Sequence, residues 1–272
     1  MPADEMLAPE TPDLVWFRGP DAIRFLNDLL SQEIATDAPG TVLRSLLLDP
    51  QGKLDHILWV LRGEDEVGLV TDPGRGSDLV STLGRYRIRV QVEIEEETAP
   101  VWLVVGEMGT VPGGWDRTDQ GVVADVSWAK TKRVLKIGER PDLETMSEGR
   151  YEELRIESGE PRFGKDVDEK TIPQQTGLVP VAVTFDKGCF LGQELVARID
   201  SRGGNVPQRI GILEFEDGAP SEGSSIMHDG NEVGTITSAA GSVGLGMVRR
   251  EIEPGDTVKT SGKTALVRGL PR

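Results

Sequence analysis

The chain has 272 residues, 37% hydrophobic and 28% charged, a globular composition with room for two or three modest domains. Its formal net charge of -16 excludes broad nucleic-acid binding, which needs a concentrated positive field, and disfavours an anionic membrane surface. Cys189 is the only cysteine, so no intramolecular disulfide can form, which fits a reducing compartment. The opening string MPADEMLAPE lacks the basic and apolar regions of a signal peptide, and no apolar run approaches a membrane span, so the expected location is the cytoplasm.

Residues 14–17 read as a short strand, stopped by Gly19-Pro20-Asp21, with Asp21 expected to cap a helix. Ala22, Phe25, Leu26, Leu29 and Leu30 recur at helical spacing and predict one buried face. Residues 43–48 and 54–61 read as two strands joined by the turn Asp49-Pro50-Gln51-Gly52. Strand character continues at 66–71. A helix capped by Ser77 is expected over 77–83, and strands over 87–94, 101–105, 122–126 and 133–137. Strands interrupted by helices predict an α+β architecture.

Residues 151–158 predict a helix ending at Gly159, followed by a long polar stretch over 161–187 of the kind that often carries function. Residues 193–199 predict another helix, with Leu191, Leu195 and Ile199 along one face. From Gln208 onward, short strands at 210–215, 233–237, 243–248 and 264–267 alternate with glycine-rich turns, which predicts a separate small β-barrel.

The clearest motif is Lys187-Gly188-Cys189-Phe190-Leu191-Gly192-Gln193-Glu194. It resembles the signature of the YgfZ family, relatives of the glycine-cleavage aminomethyltransferase. The strings from Leu154 to Gly164 and from Asp168 to Gln174 resemble that family's middle region, and Gly234-Thr235-Ile236-Thr237-Ser238 and Gly244-Leu245-Gly246 its C-terminal barrel. The resemblance implies a three-lobed aminomethyltransferase-like α+β fold with a C-terminal β-barrel and a central channel for tetrahydrofolate. Mapped onto this chain, it implies a discontinuous first domain of residues 10–48 plus 122–206, a ferredoxin-like α+β domain of 49–121, and a barrel of 207–272.

Free cysteine is commonly a small buried hydrophobe. Around Cys189, however, Gly188 and Gly192 remove side chains, a helix begins just after, and Lys187 adds positive charge. The glycines allow a sharp turn and close approach, and the helix N-terminus and Lys187 both favour the thiolate. A single cysteine cannot enclose a metal cluster, so other ligands would have to come from a partner.

The resemblance maps Glu157 onto a glutamate that grips the pterin ring. A carboxylate accepts two parallel N–H bonds from such a ring edge. Arg155, Arg198 and Arg202, together with Arg162 and Lys165, are candidate partners for the anionic folate tail.

The resemblance also maps His56 onto the catalytic aspartate of the aminomethyltransferase, with Asp55 one position earlier. Strand alternation would send these two side chains to opposite faces, which argues against Asp55 as a substitute. His56 is then either an acid–base group or a satisfied structural residue. His228 is given no role. No zinc-spaced ligands, phosphate loop or dinucleotide fingerprint is present.

The expected function is a tetrahydrofolate-binding accessory factor, taking tetrahydrofolate or a one-carbon derivative, for the assembly, repair or maintenance of iron–sulfur enzymes. Its partners would be iron–sulfur clients or assembly factors, with transfer-RNA modification supported indirectly and no direct nucleic-acid or membrane contact. Two alternatives stand beside it: a folate-dependent one-carbon transferase, and an interaction scaffold with a vestigial pocket whose acidic surface steers basic partners.

Overall fold

The computed structural model describes residues 5–106, 112–119 and 121–271. Residues 1–4 of the opening string, 107–111 and 120 of the expected second domain, and Arg272 of the expected third lie outside it. The chain forms two compact units. One comprises the residues up to Met146 together with Pro180–Gln193; the other comprises Ser147–Val179 and the residues from Glu194 onward.

The first unit contains β1 (Met6–Leu7), β2 (Asp13–Arg18), α1 (Ala22–Asn27), β3 (Thr41–Leu48), β4 (Leu54–Arg62), β5 (Glu66–Thr71), α2 (Gly76–Gly84), β6 (Glu93–Glu96), β7 (Val101–Val105), β8 (Trp115–Thr118), β9 (Gly121–Asp125) and β10 (Arg133–Ile137). Two antiparallel sheets result, in the orders β3-β4-β5-β2-β6 and β1-β7-β10-β9-β8. Alternation along β2, β4 and β5 turns Val15, Phe17, Leu58, Val60, Val67 and Leu69 toward Phe25, Leu26, Leu79 and Leu83 of the two helices. Each such side chain contributes about 1.5–3 kcal/mol by leaving water.

The second unit holds α3 (Glu148–Glu157) and a closed barrel. Its strands are β11 (Gln208–Phe215), β12 (Ser225–His228), β13 (Asn231–Ala240), β14 (Val243–Arg249), β15 (Thr257–Thr260) and β16 (Lys263–Arg268), in the order β11-β14-β13-β12-β15-β16. Pairing of β11 with β16 closes the barrel and leaves no free sheet edge. Along the sequence, the chain passes from one unit to the other within α4 (Val179–Ala182) and again within α5 (Gln193–Asp200). No helix among the described residues is long and apolar enough to cross a membrane.

Several local expectations are corrected. Asp21 does not cap α1; its carboxylate accepts from the Gln91 N–H at 2.8 Å and thereby holds the approach to β6. Ser77 lies inside α2 and donates to Glu96 Oε1 at 2.8 Å, while Asp13 Oδ2 accepts from the Gly76 amide at 2.7 Å. The strand expected over 87–94 begins only at Glu93. Arg89 adopts a positive φ of 57° and turns Ile88 out to 73% exposure, which breaks the alternation. The polar strand β8 and the short barrel strands β12 and β15 are additional to those expected.

Candidate functional site

In the first unit, the signature segment is zipped to the turn that follows α1. Ser31 Oγ donates to the Ala182 carbonyl at 2.6 Å, the Thr184 amide donates to the Ser31 carbonyl at 3.0 Å, and Gln32 Nε2 donates to the Val181 carbonyl at 3.0 Å. Lys187 completes the zip. Its ammonium donates to the carbonyls of Asn27 (2.6 Å), Leu30 (2.8 Å) and Gln32 (2.8 Å), and lies 3.3 Å from Asn27 Oδ1. These are carbonyls at and beyond the C-terminal end of a helix, where a cation is favoured. Burial pushes its pKa down to about 8, against the opposing pull of Glu33 and Asp28. The Lys187 charge, expected to act on the thiol, is therefore tied to the end of α1.

Phe190 is buried, with its ring centroid 5.6 Å from the Lys187 ammonium, and Leu191 packs against the α1–α2 core. Gln193 Oε1 accepts from the Phe190 amide at 3.2 Å. Gly192 has a φ of +75°, and a Cβ there would stand 2.4 Å from the Asp49 carbonyl and 2.9 Å from the Gly52 Cα, so the signature seats directly on the β3–β4 turn. Gly188 differs. Its φ is ordinary and a Cβ would meet nothing within 4 Å. Gly188, Cys189 and Glu194 are exposed, and Cys189 is the one reactive side chain that the signature offers to solvent.

Beyond that turn, the ladder slips by one residue. Leu47 pairs with His56 but Leu48 pairs with Leu54, leaving Asp55 as the extra residue of a β-bulge. Alternation fails at the bulge, and Asp55 Oδ1 comes 3.5 Å from His56 Nδ1, too long for a hydrogen bond. The separation of Asp55 from His56 expected from strand alternation is thus corrected.

His56 is fully buried and its Nδ1 has no hydrogen-bond partner, so the ring stands behind Asp55 and does not reach solvent. Arg75 Nη2 lies 3.4 Å from His56 Nε2, 2.7 Å from Asp78 Oδ2 and 3.8 Å from Asp55 Oδ1, and donates to the Asp55 carbonyl at 3.1 Å. Burial would raise the Asp55 carboxyl. His56, Arg75 and Arg85 outweigh it and hold that carboxyl below its usual range. Ligand atoms of Asp55, His56 and Asp78 lie within 4.8 Å of one another, as metal ligands do, but the Arg75 guanidinium already provides the positive charge among them. Sequence reading missed Arg75 and Asp78. Their only signal was an i,i+3 pair leading into α2.

In the second unit, Ser147 Oγ accepts from the Arg150 amide at 3.4 Å and starts α3. Arg155, expected to meet the folate tail, is instead buried at the centre of a polar network. It donates to Glu152 Oε2 (2.8 Å) and Oε1 (2.7 Å), Asp166 Oδ2 (2.6 Å), Ser238 Oγ (2.6 Å) and the Glu160 carbonyl. Asp166 Oδ1 also accepts from Thr237 and Ser238 of β13, each at 2.6 Å. With its guanidinium occupied in this way, Arg155 is a structural bolt between α3 and the barrel.

Burial alone would raise the Glu152 carboxyl. Arg155, Lys165 and Arg162 bring it down to about 2. Glu157 closes α3 and is exposed, as are Arg198 and Arg202, and none of these three side chains makes a hydrogen bond or ion pair among the described residues. Chemically, Glu157 is a free acceptor for two N–H donors, and the two guanidinium groups are free for an anion.

A profile for the CAF17 C-terminal beta-barrel domain matches residues 177–268. The mitochondrial iron–sulfur cluster assembly factor IBA57 of Homo sapiens is 28% identical, over 88% of this chain and 75% of its own length. An aminomethyltransferase of Rubrobacter xylanophilus is 25% identical, over 94% of this chain and 79% of its own. The crystal structure of the glycine cleavage system aminomethyltransferase T from Bartonella henselae superposes with a TM-score of 0.86 at 18% identity, covering 99% of this chain and 86% of that one; it shares the fold. The signature at Lys187–Glu194 and the closed six-stranded barrel accord with these matches: the chain is similar to IBA57-type and aminomethyltransferase proteins and has the aminomethyltransferase-like fold.

Proposed function

We propose that this protein is a reduced-folate-binding accessory factor for the assembly, repair or maintenance of iron–sulfur enzymes in the cytoplasm. The observation that carries the reading is the construction of the signature, which uses Lys187, Phe190, Leu191 and Gln193 to hold the segment and leaves Cys189 exposed. The similarity to a factor named for iron–sulfur cluster assembly supports it over most of the chain. One thiol cannot enclose a cluster, so Cys189 works beside ligands that the client provides. Transfer-RNA modification would depend on the protein through such a client, because a chain of net charge -16 repels phosphate.

Tetrahydrofolate or a one-carbon derivative is the proposed ligand. Glu157 would accept from the pterin edge, and Arg198 and Arg202 would meet the tail; Arg155 is not among them, because its donors are occupied. Calorimetric titration with tetrahydrofolate tests this. Binding by the native chain that Glu157→Gln weakens at least tenfold is expected, and no binding at cellular folate concentrations overturns it.

The bulge at Asp55 favours a second reading, one-carbon transfer. It puts an ionised, half-buried carboxylate beside His56 and Arg75, where a substrate amine would find a negative partner. Formation of methylene-tetrahydrofolate from a methylated amine by the native chain, abolished in Asp55→Asn, supports this reading; no turnover dismisses it.

A further inference from the structure

Lys187 stands out among the residues of the signature. A half-buried ammonium with three protons meets three converging main-chain carbonyls and a nearby amide oxygen, all from residues 27–32, with no carboxylate in the set. A compact ammonium suits acceptors that converge on a point, whereas a planar guanidinium spreads its donors. Two residues along the chain is the exposed thiol. Just beyond it Phe190 is buried, Leu191 packs partly buried against the core, and Gly192 is clamped on the β3–β4 turn. Gly188 and Cys189 thus form a short exposed bridge between two fixed ends.

We propose that Lys187 is a positioning residue for the Cys189 thiol, pinning the upstream end of this bridge to the α1 terminus so that the sulfur is held at one place on the surface. The proposal rests on the reading of Cys189 as the working thiol. It makes the lysine of the signature a part of the thiol's scaffold, not its electrostatic activator.

Because Cys189 is the only cysteine, a nitroxide attached to it reports its order without background. The reference is the same label on Ser221→Cys in a Cys189→Ser background, in an exposed loop of the second unit. The native label is expected to be more restricted than the reference. In folded Lys187→Met it should become severalfold more mobile, and in Lys187→Arg intermediate. A Lys187→Met label as restricted as the native one overturns the proposal. So does a native label as mobile as the reference, a comparison that holds even where Lys187→Met fails to fold. Support of iron–sulfur enzymes in cells should fall in Lys187→Met and recover in part in Lys187→Arg. Full support by Cys189→Ser would remove the reading of the thiol, whereas the label measurements judge the positioning by themselves.

Discussion

Two cations organise the two units, and they are compensated in different ways. Lys187 is held by neutral carbonyl dipoles, which satisfy its protons without supplying countercharge, and burial pushes its pKa down to about 8. Arg155 is more deeply buried, but Glu152 and Asp166 supply two carboxylates against it and hold its guanidinium firmly charged. The difference teaches what each region can tolerate. A carbonyl cage ties one strand of chain to another and depends on local geometry. A carboxylate network ties a helix, a loop and a barrel strand together and depends on every charge staying in place.

The largest effect should come from Arg155→Met. It leaves Asp166 as a buried carboxylate without its guanidinium and strips the same partner from partly buried Glu152, which keeps Lys165, a loss of roughly 3–5 kcal/mol. Hydrogen exchange should show it as lost protection in α3 and the barrel; unchanged protection there would break the contrast with Lys187.

Gly192→Ala should come next. It forces a side chain onto the Asp49 carbonyl at a positive φ, at a cost of about 1–3 kcal/mol in thermal or denaturant unfolding. The neighbouring Gly188→Ala should lie within about 0.5 kcal/mol of the native chain, since nothing in the described fold meets its Cβ. Equal costs at the two glycines would contradict the clamp on the turn.

The gentlest test is acid. Glu152 is held at about 2 against an unfolded value near 4.5, so the folded chain binds fewer protons than the unfolded one in that window. Its stabilising contribution is complete above about 4.5 and is lost as the pH falls toward about 2. Glu152→Gln should flatten this part of the pH–stability curve, whereas Lys187→Met should leave its slope unchanged.

Much of this fold was legible because its signals were local. The hydrophobic spacing of Phe25, Leu26 and Leu30 marked α1 and its turn, and the glycine-separated strands marked the barrel. The fate of the cations was not legible. Arg155 and Lys187 looked like surface or site charges, because their partners lie far along the chain at Ser238 and at Asn27. The bulge at Asp55 was also hidden, because a one-residue slip leaves no mark in composition and reverses the facing deduced from alternation. At the signature, the motif pointed to eight residues, and only the fold separates those that hold the segment from the exposed Gly188, Cys189 and Glu194.

The central claim is that Cys189 is the working group of an iron–sulfur maintenance factor. Its most direct test is the activity of a cluster-dependent enzyme in cells lacking this protein, restored with the native chain or with Cys189→Ser expressed at equal level. Recovery with the native chain and none with Cys189→Ser, while the variant's thermal unfolding matches the native, is the predicted result. Equal recovery with both would contradict the account.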